Sequence, residues 1–364
     1  MRGDPHAGFC ESRGVRFPPA THLKPYSYGF RPKRRAQDAI AEIHFFGSPS
    51  RNYEWVFEAD IEACFDEISH VGLMDRVRGR IGDTRVLGLV KAFLRAGILS
   101  EEGLNRETIT GTPQGGILSP LLANIALSVL DEHFTNKWDQ LDGRTGRAKH
   151  RRHGGATYRI VRYADDFLIM VNGTRADAEA LHDEVAEVLA PMGLRLSEQK
   201  TKVCHIDEGL DFLGWHIQRR AWRGRSGKRA VYTYPSKKAL ASVTAKVRSL
   251  THRRKHRTLA ELLLSVNRVL QGWCNYFRHG VSAKTFSYVD HFTWWRIVRW
   301  IRNRHNRPNW KTMRRRHLPS WGIRDGGTEM YRPQTVAIVR YRYRGARIPT
   351  PWARDEEETT APAA

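Results

Sequence analysis

The stretch Arg159-Ile160-Val161-Arg162-Tyr163-Ala164-Asp165-Asp166-Phe167-Leu168-Ile169-Met170-Val171 limits what this chain can fold into more than any other. Apolar and β-branched residues flank two adjacent acids on both sides. That pattern predicts strand, tight turn, strand, with the acids at the tip. Successive strand residues alternate faces, so neighbouring carboxylates at a tip fan apart. Nothing in the turn itself neutralises both, and together they favour a cation. Hard carboxylates that must also meet a phosphate-bearing substrate call for magnesium, which takes few protein oxygens plus substrate phosphates. Alone, such a doublet is more often a solvated turn. The surrounding chain decides between the two.

With 364 residues the chain has room for roughly two to three domains, and its 40% hydrophobic content supports a real core. The formal net charge of +23 points to a polyanionic partner. An anionic membrane surface is the competing partner. However, the most apolar stretch, Ile117 to Leu130, is interrupted by Ser119, Pro120 and Asn124, so no membrane segment is expected. The start, MRGDPHAGF, lacks the apolar region of a signal peptide. Cys10, Cys64, Cys204 and Cys274 form no CxxC pair, which argues against a zinc ribbon or a disulfide framework and fits a reduced, cytoplasmic setting.

Residues 1–25 are punctuated by Gly and Pro and read as an irregular lead-in. Arg35 to Phe45 reads as helix, Trp55 to Ile61 as a buried strand ending at Asp60, and residues 72–97 carry helical periodicity. Thr108 to Gly116 reads as strand and Gly-rich turn. Ser119-Pro120 then opens a helix with Ser as cap and Pro in the first position, its inward stripe including Leu121, Leu122 and Ile125. Residues 136–156, basic and Gly-rich, read as a loop or insertion. Thr174 to Asp177 forms a capping box before a helix, and Leu194 to Val203 reads as strand, turn, strand. The composition turns strongly basic near residue 218, where a domain boundary is expected. Beyond it, Thr258 opens a long amphipathic helix to Gly280, a second helix spans Thr285 to Asn303, and Tyr331-Arg332-Pro333 and Tyr341 to Gly345 suggest a basic strand-like surface. The tail from Asp355 is acidic and reads as disordered.

This order of elements makes an antiparallel sheet backed by helices, an α+β arrangement, followed by an α-helical domain. If the strand ending at Asp60 neighbours the acidic hairpin, three carboxylates converge, and such a cluster is repulsive unless cations hold it. Two-metal sites of this kind serve in-line phosphoryl transfer.

The following stretches occur in order: YGFRPKRRAQDAI (28–40), WVFEADIEACFDEI (55–68), TPQGGILSPLLANIAL (112–127), YADDF (163–167), LSEQKTKV (196–203), FLGW (212–215) and GWCNYFRHG (272–280). Together they resemble the bacterial group II intron-encoded reverse transcriptase/maturase family over roughly residues 26–350. The resemblance implies a right-hand-like polymerase palm and a helical thumb, RNA-directed DNA synthesis with two Mg2+ ions, and maturase assistance to splicing and intron mobility. Its implied partners are intron RNA, an RNA template with DNA primer, and dNTPs. Asp60, Asp165 and Asp166 would be the catalytic, metal-binding acids, with Asp60 and Asp165 bridging the ions. Phe65 matches the aromatic that excludes a 2′-hydroxyl, the alternative being a core ring. Gln114, Gly115 and Gly116 would line the nucleotide pocket. Tyr163 would sit near the primer end, Lys200 near primer phosphate, and Arg31 and Arg35 on template or nucleotide phosphate; solvated surface positions are the alternative for all but Tyr163, which is otherwise a strand aromatic. In a helix, Trp273 and Phe277 are more often core than base-stacking. Arg253, Arg254, Lys255, Arg314, Arg315 and Arg316 are the candidates for gripping structured RNA through phosphate.

The implied domains are 1–25 as an irregular segment with truncated fingers, 26–218 as reverse transcriptase fingers and palm, 219–320 as thumb/maturase, and 321–364 as a basic extension with an acidic tail. Nothing in residues 1–25 matches the family's basic finger motif, and no paired cysteines of a zinc endonuclease follow Cys274. Two other readings stay open: a polymerase-defective maturase that only binds RNA, and a reverse transcriptase of another bacterial lineage.

Overall fold

Four antiparallel strands carry the acidic hairpin. The computed structural model describes residues 24, 26–95, 98–99, 105–106, 110–112, 116–222, 227–252 and 256–348. Gln114, Gly115, Arg253, Arg254 and Lys255 lie outside the described residues, as do Cys10, nearly all of segment 1–25 and the acidic tail. The chain divides into two units: residues 1–208 with 343–364, and residues 209–342.

The first unit runs α1 (Ala36–Phe46), β1 (Trp55–Ala59), α2 (Cys64–Glu67), α3 (His70–Arg78), α4 (Thr84–Arg95), β2 (Ile98–Leu99), β3 (Asn105–Arg106), α5 (Ser119–Ala126), α6 (Ser128–Asp139), α7 (Gly143–Arg152), β4 (Thr157–Tyr163), β5 (Asp166–Asn172), α8 (Arg175–Glu179), α9 (Leu181–Leu189) and β6 (Lys202–His205). The sheet order is β4-β5-β1-β6. Strand periodicity sends Phe57, Ala59, Ile160, Phe167, Ile169 and Val171 to one face. There they form a core with Leu122, Leu130 and Phe134 of α5 and α6 and with Leu181 and Val185 of α9. Glu58 lies opposite Leu168 on one side and Lys202 on the other. Ala59 lies opposite Phe167, so one further step brings Asp60 level with Asp166. The expected neighbourhood of β1 and the hairpin is therefore present.

Several local expectations change. Within residues 72–97 the described residues form two helices, α3 and α4, with Gly79 as the C-cap of the first. Val86 and Leu89, two apolar positions of α4, are exposed. At α5 the cap position falls on Leu118 with no side-chain bond, and Ser119 is already helical with Pro120 in the first turn. Leu121 points outward, while Leu122 and Ile125 are buried. Residues 136–156 are largely helical, as the end of α6 and all of α7. No side chain of α7 is buried, so it has no apolar stripe to read, while its Arg, Lys and Ala favour helix. The Thr174 box forms as expected: the Thr174 N–H donates to Asp177 at 2.7 Å and the Asp177 N–H donates back at 3.3 Å.

The second unit runs β7 (Leu210–Phe212), β8 (Trp215–Ala221), β9 (Arg229–Pro235), α10 (Lys237–Leu250), α11 (Leu259–Phe277), α12 (Ala283–Arg304) and α13 (Trp310–Arg316). A boundary at 218 would cut β8, which pairs with β9 from Trp215 opposite Pro235 to Ala221 opposite Arg229. The units instead divide at Gly209. Trp215 is buried against Phe277 of α11, with ring centroids 4.8 Å apart. Residues 331–345 contain no strand. Arg332 pairs with the buried Asp290 of α12 at 3.0 Å, whereas Tyr343 stacks on Phe45 and Arg344 binds Asp38 of α1, so the extension is shared between the units. Among the described residues, no helix is long and apolar enough to cross a membrane.

Trp273 and Phe277 pack on each other at 4.8 Å, and Phe277 is 4% exposed. Phe277 is a core residue and Trp273 packs half-buried against the core, so neither is a free surface platform for a base. Phe277→Ala is expected to cost about 3–5 kcal/mol in urea unfolding. Wild-type stability in that variant would contradict the packing.

A candidate metal and nucleotide site at the acidic turn

β4 and β5 pair as far as Tyr163 opposite Asp166, which leaves Ala164-Asp165 as a two-residue turn. Ala164 takes a left-handed φ of 59°, as tight hairpins demand. Asp165 is half-buried and Asp166 exposed. Asp60 follows β1, and its backbone carbonyl accepts from the Ser197 N–H at 2.8 Å. That bond brings the 197–200 turn over the site. Lys200 then donates from Nζ to Asp60 Oδ2 at 2.5 Å, and Lys202 Nζ stands 3.1 Å from Glu58.

The electrostatics show how crowded this tip is. The Asp166 carboxyl is pushed up to about 6, first by lost solvation and then by Asp165, Asp60 and Glu58, against the pull of Lys200. Burial and then Asp165 raise the Cys64 thiol to about 12, with Asp60 adding to the effect. Asp60 and Asp165 thus act both on Asp166 and on Cys64 of α2. Even so, among the described residues no group of three His, Cys, Asp or Glu side chains is drawn together closely enough to hold a metal ion. The Asp60 carboxylate is turned to Lys200 instead. The donor chemistry fits a hard divalent cation: the oxygens are carboxylate, and beyond lost solvation Asp165, Asp60 and Glu58 all raise Asp166 against the opposing pull of Lys200.

Beneath the turn lies a network that the sequence reading missed. Arg162 is fully buried. Its Nε–H donates to Asp131 Oδ1 at 3.0 Å and one Nη2–H to Asp131 Oδ2 at 2.5 Å. The other Nη2–H donates to Ser27 Oγ at 3.0 Å, and Nη1 donates to Asn124 Oδ1 at 2.9 Å and to the Ala164 carbonyl at 2.8 Å. All five N–H donors of the guanidinium find acceptors. Asn124 in turn donates to the Gly29 carbonyl at 3.0 Å. Gly29 lies so close to the turn that a Cβ there would sit 2.3 Å from the Ala164 nitrogen. The sequence signal was an Arg inside an apolar strand, which must be paired when buried.

The remaining predicted residues distribute as follows. Phe65, partly buried, packs on the core, and its carbonyl accepts from the Thr112 N–H at 2.6 Å. Gly111, at φ 88°, fits against the Asp66 backbone where a Cβ would meet it at 2.6 Å. These contacts fix one end of the stretch holding Gln114 and Gly115. Tyr163 closes the hairpin opposite Asp166. Arg31 is spent locally, donating to the carbonyls of Lys24 at 2.5 Å and Ser27 at 2.9 Å; burial and then Arg34 lower it to about 10. Arg35 caps α1. Arg314, Arg315 and Arg316 are exposed on α13.

Arg162→Met would leave Asp131 buried and unpaired, so a loss of about 3–5 kcal/mol is expected in denaturant unfolding; a loss near zero would contradict the network. For Asp166 the folded protein binds a proton more tightly than the unfolded chain, so stability falls as pH rises from about 4 through about 6. Asp166→Asn removes that dependence. Its melting temperature should exceed wild type increasingly across that window and level off above it, and a constant difference would refute the shift.

Residues 15–217 match the family model for reverse transcriptase (RNA-dependent DNA polymerase), starting within the N-terminal segment set aside above, and residues 240–318 match that for the group II intron, maturase-specific domain. Protein YkfC of Escherichia coli is 36% identical over 240 residues, covering 60% of this chain and 62% of that protein. The group II intron-encoded protein LtrA of Lactococcus lactis is 29% identical over 367 residues, covering 82% of this chain and 60% of that protein. The chain thus spans about 60% of the length of these curated relatives. The reverse transcriptase match takes in more than half of the 364 residues and the maturase-specific match follows it in order; this chain belongs to the group II intron reverse transcriptase/maturase family.

Proposed function

We propose that the chain is an RNA-directed DNA polymerase that also serves as a maturase for a group II intron. The observation that carries this reading is the acidic turn: Asp165 and Asp166 at a braced hairpin tip, level with Asp60, inside a matched reverse transcriptase region. Asp60, Asp165 and Asp166 would hold two Mg2+ ions, with Asp166 less directly engaged. When bound, magnesium supplies activation of the attacking hydroxyl and charge neutralisation at the leaving phosphate. The protein's own part is positional. Arg162 fixes the turn, and the 65–68 segment bonded to 110–112 fixes the floor on which Phe65 would meet the deoxyribose. Lys200 neutralises Asp60 until a cation competes for that carboxylate, and its ammonium is then available to phosphate. Cation binding weakens as pH falls through about 6, because Asp166 then takes up a proton.

The partners of this reading are an RNA template with DNA primer, dNTPs and intron RNA. Exposed Arg314 to Arg316 suit RNA phosphate. So does a cleft of about 790 Å³ in the second unit, lined by Arg248, Arg296, Arg299 and Arg302 with Phe292 and Trp295. That basic face also favours a second reading, a maturase that binds RNA without polymerising. Cys64, Cys204 and Cys274 are free and buried, in keeping with a reducing cytoplasm.

Primer extension on an RNA template with magnesium and dNTPs separates the readings. Wild type should extend, and Asp165→Ala should abolish extension while retaining tight intron-RNA binding. A wild-type chain that binds intron RNA but never extends supports the second reading. One that binds no intron RNA removes the maturase role.

A further inference from the structure

Phe30 combines three features that ordinary surface residues lack. It is 61% exposed, an unusual place for a large ring. Its φ is +53°, a conformation that costs any residue with a Cβ and that persists where its surroundings enforce it. The surroundings here do enforce it. On one side, Gly29 is clamped between the Asn124 side chain and the Ala164 backbone. Just before it, the Tyr28 N–H donates to the Arg162 carbonyl at 2.8 Å, and Tyr28 is buried. On the other side, the Arg31 guanidinium ties back to the carbonyls of Lys24 and Ser27. The segment is thus held by the same Arg162–Asn124 network that holds the acidic turn, and it leaves the Phe30 ring exposed one residue after the Gly29–Ala164 contact.

A fixed, exposed ring without a hydrogen-bonding group can offer a π face and apolar area. Phosphate gains nothing from it, whereas every nucleobase has a face that stacks on such a ring. We propose that Phe30 is a stacking platform for an unpaired base of the nucleic-acid substrate next to the acidic turn, held in a strained backbone conformation for that purpose. The proposal rests on the reading of that turn as a polymerase site. It adds a contact that does not involve the acids, Phe65 or the basic face of the second unit.

The test is equilibrium binding of the full chain to labelled RNA–DNA duplexes by fluorescence anisotropy. One duplex carries a single-stranded template overhang and the other is blunt. Phe30→Ala should weaken binding of the overhang duplex by about 5- to 100-fold while leaving the blunt duplex unchanged. Phe30→Trp should restore the overhang preference, and Phe30→Leu, similar in apolar size but without a π face, should not. Phe30→Gly should lose the preference yet melt at a higher temperature than wild type, because glycine relieves the left-handed strain. The proposal is overturned if Phe30→Leu binds the overhang duplex like wild type, or if Phe30→Ala weakens both duplexes equally. Primer extension by wild type is scored separately: its absence sinks the polymerase reading, while the overhang preference still decides the role of Phe30.

Discussion

The ion pair between Arg162 and Asp131 is the contact on which the first unit depends. Both side chains are fully buried, and a buried pair of this kind contributes little net stability compared with a well-packed apolar pair. Its value here is geometric. A planar guanidinium presents donors in fixed directions, which a lysine cannot imitate. Those directions lead to α6 through Asp131, to α5 through Asn124, to Ser27 in the entering segment, and to the carbonyl of the turn itself. Four separate parts of the chain are thereby referred to one group, which lies one residue before Tyr163. The acids at the tip cannot move without breaking hydrogen bonds in a dry interior, where an unmet donor is costly.

The tip is the opposite kind of environment. Lost solvation, then Asp165, Asp60 and Glu58, raise the proton affinity of Asp166 against the pull of Lys200, while Lys202 pairs with Glu58. A rigid foundation thus supports a cluster of carboxylates under electrostatic stress. Sites that bind cations are built this way, because the stress is released when the ligand arrives. The left-handed residues Ala164 and Phe30 stand at the junction of foundation and tip, where the surrounding bonds hold them in place.

The sequence made the sheet and its acids legible for clear reasons. The apolar, β-branched runs of β1, β4 and β5 and the doubled Asp are local signals, and the capping residues Thr174 and Thr258 mark helix starts with their own side chains. What it hid depends on distant partners. Arg162 reads as one basic residue in a strand until Asp131 and Asn124, 31 and 38 residues away, are seen around it. The division between units was displaced from 218 to Gly209 because a change in composition marks where charge begins, whereas strand pairing marks where packing begins. Helix α7 escaped because a helix that buries no side chain has no apolar stripe. Equally hidden were the carbonyls of Lys24 and Ser27 that the Arg31 guanidinium holds within its own loop.

On the proposed reading, the acidic turn binds divalent cations by the placement of its carboxylates rather than in a preformed cage. Anomalous scattering from crystals of this chain soaked in manganese tests it most directly. The account predicts anomalous peaks bonded to carboxylate oxygens of Asp60 and Asp165, with the Lys200 ammonium displaced from Asp60. Peaks confined to other surfaces, with Lys200 still on Asp60, would contradict it.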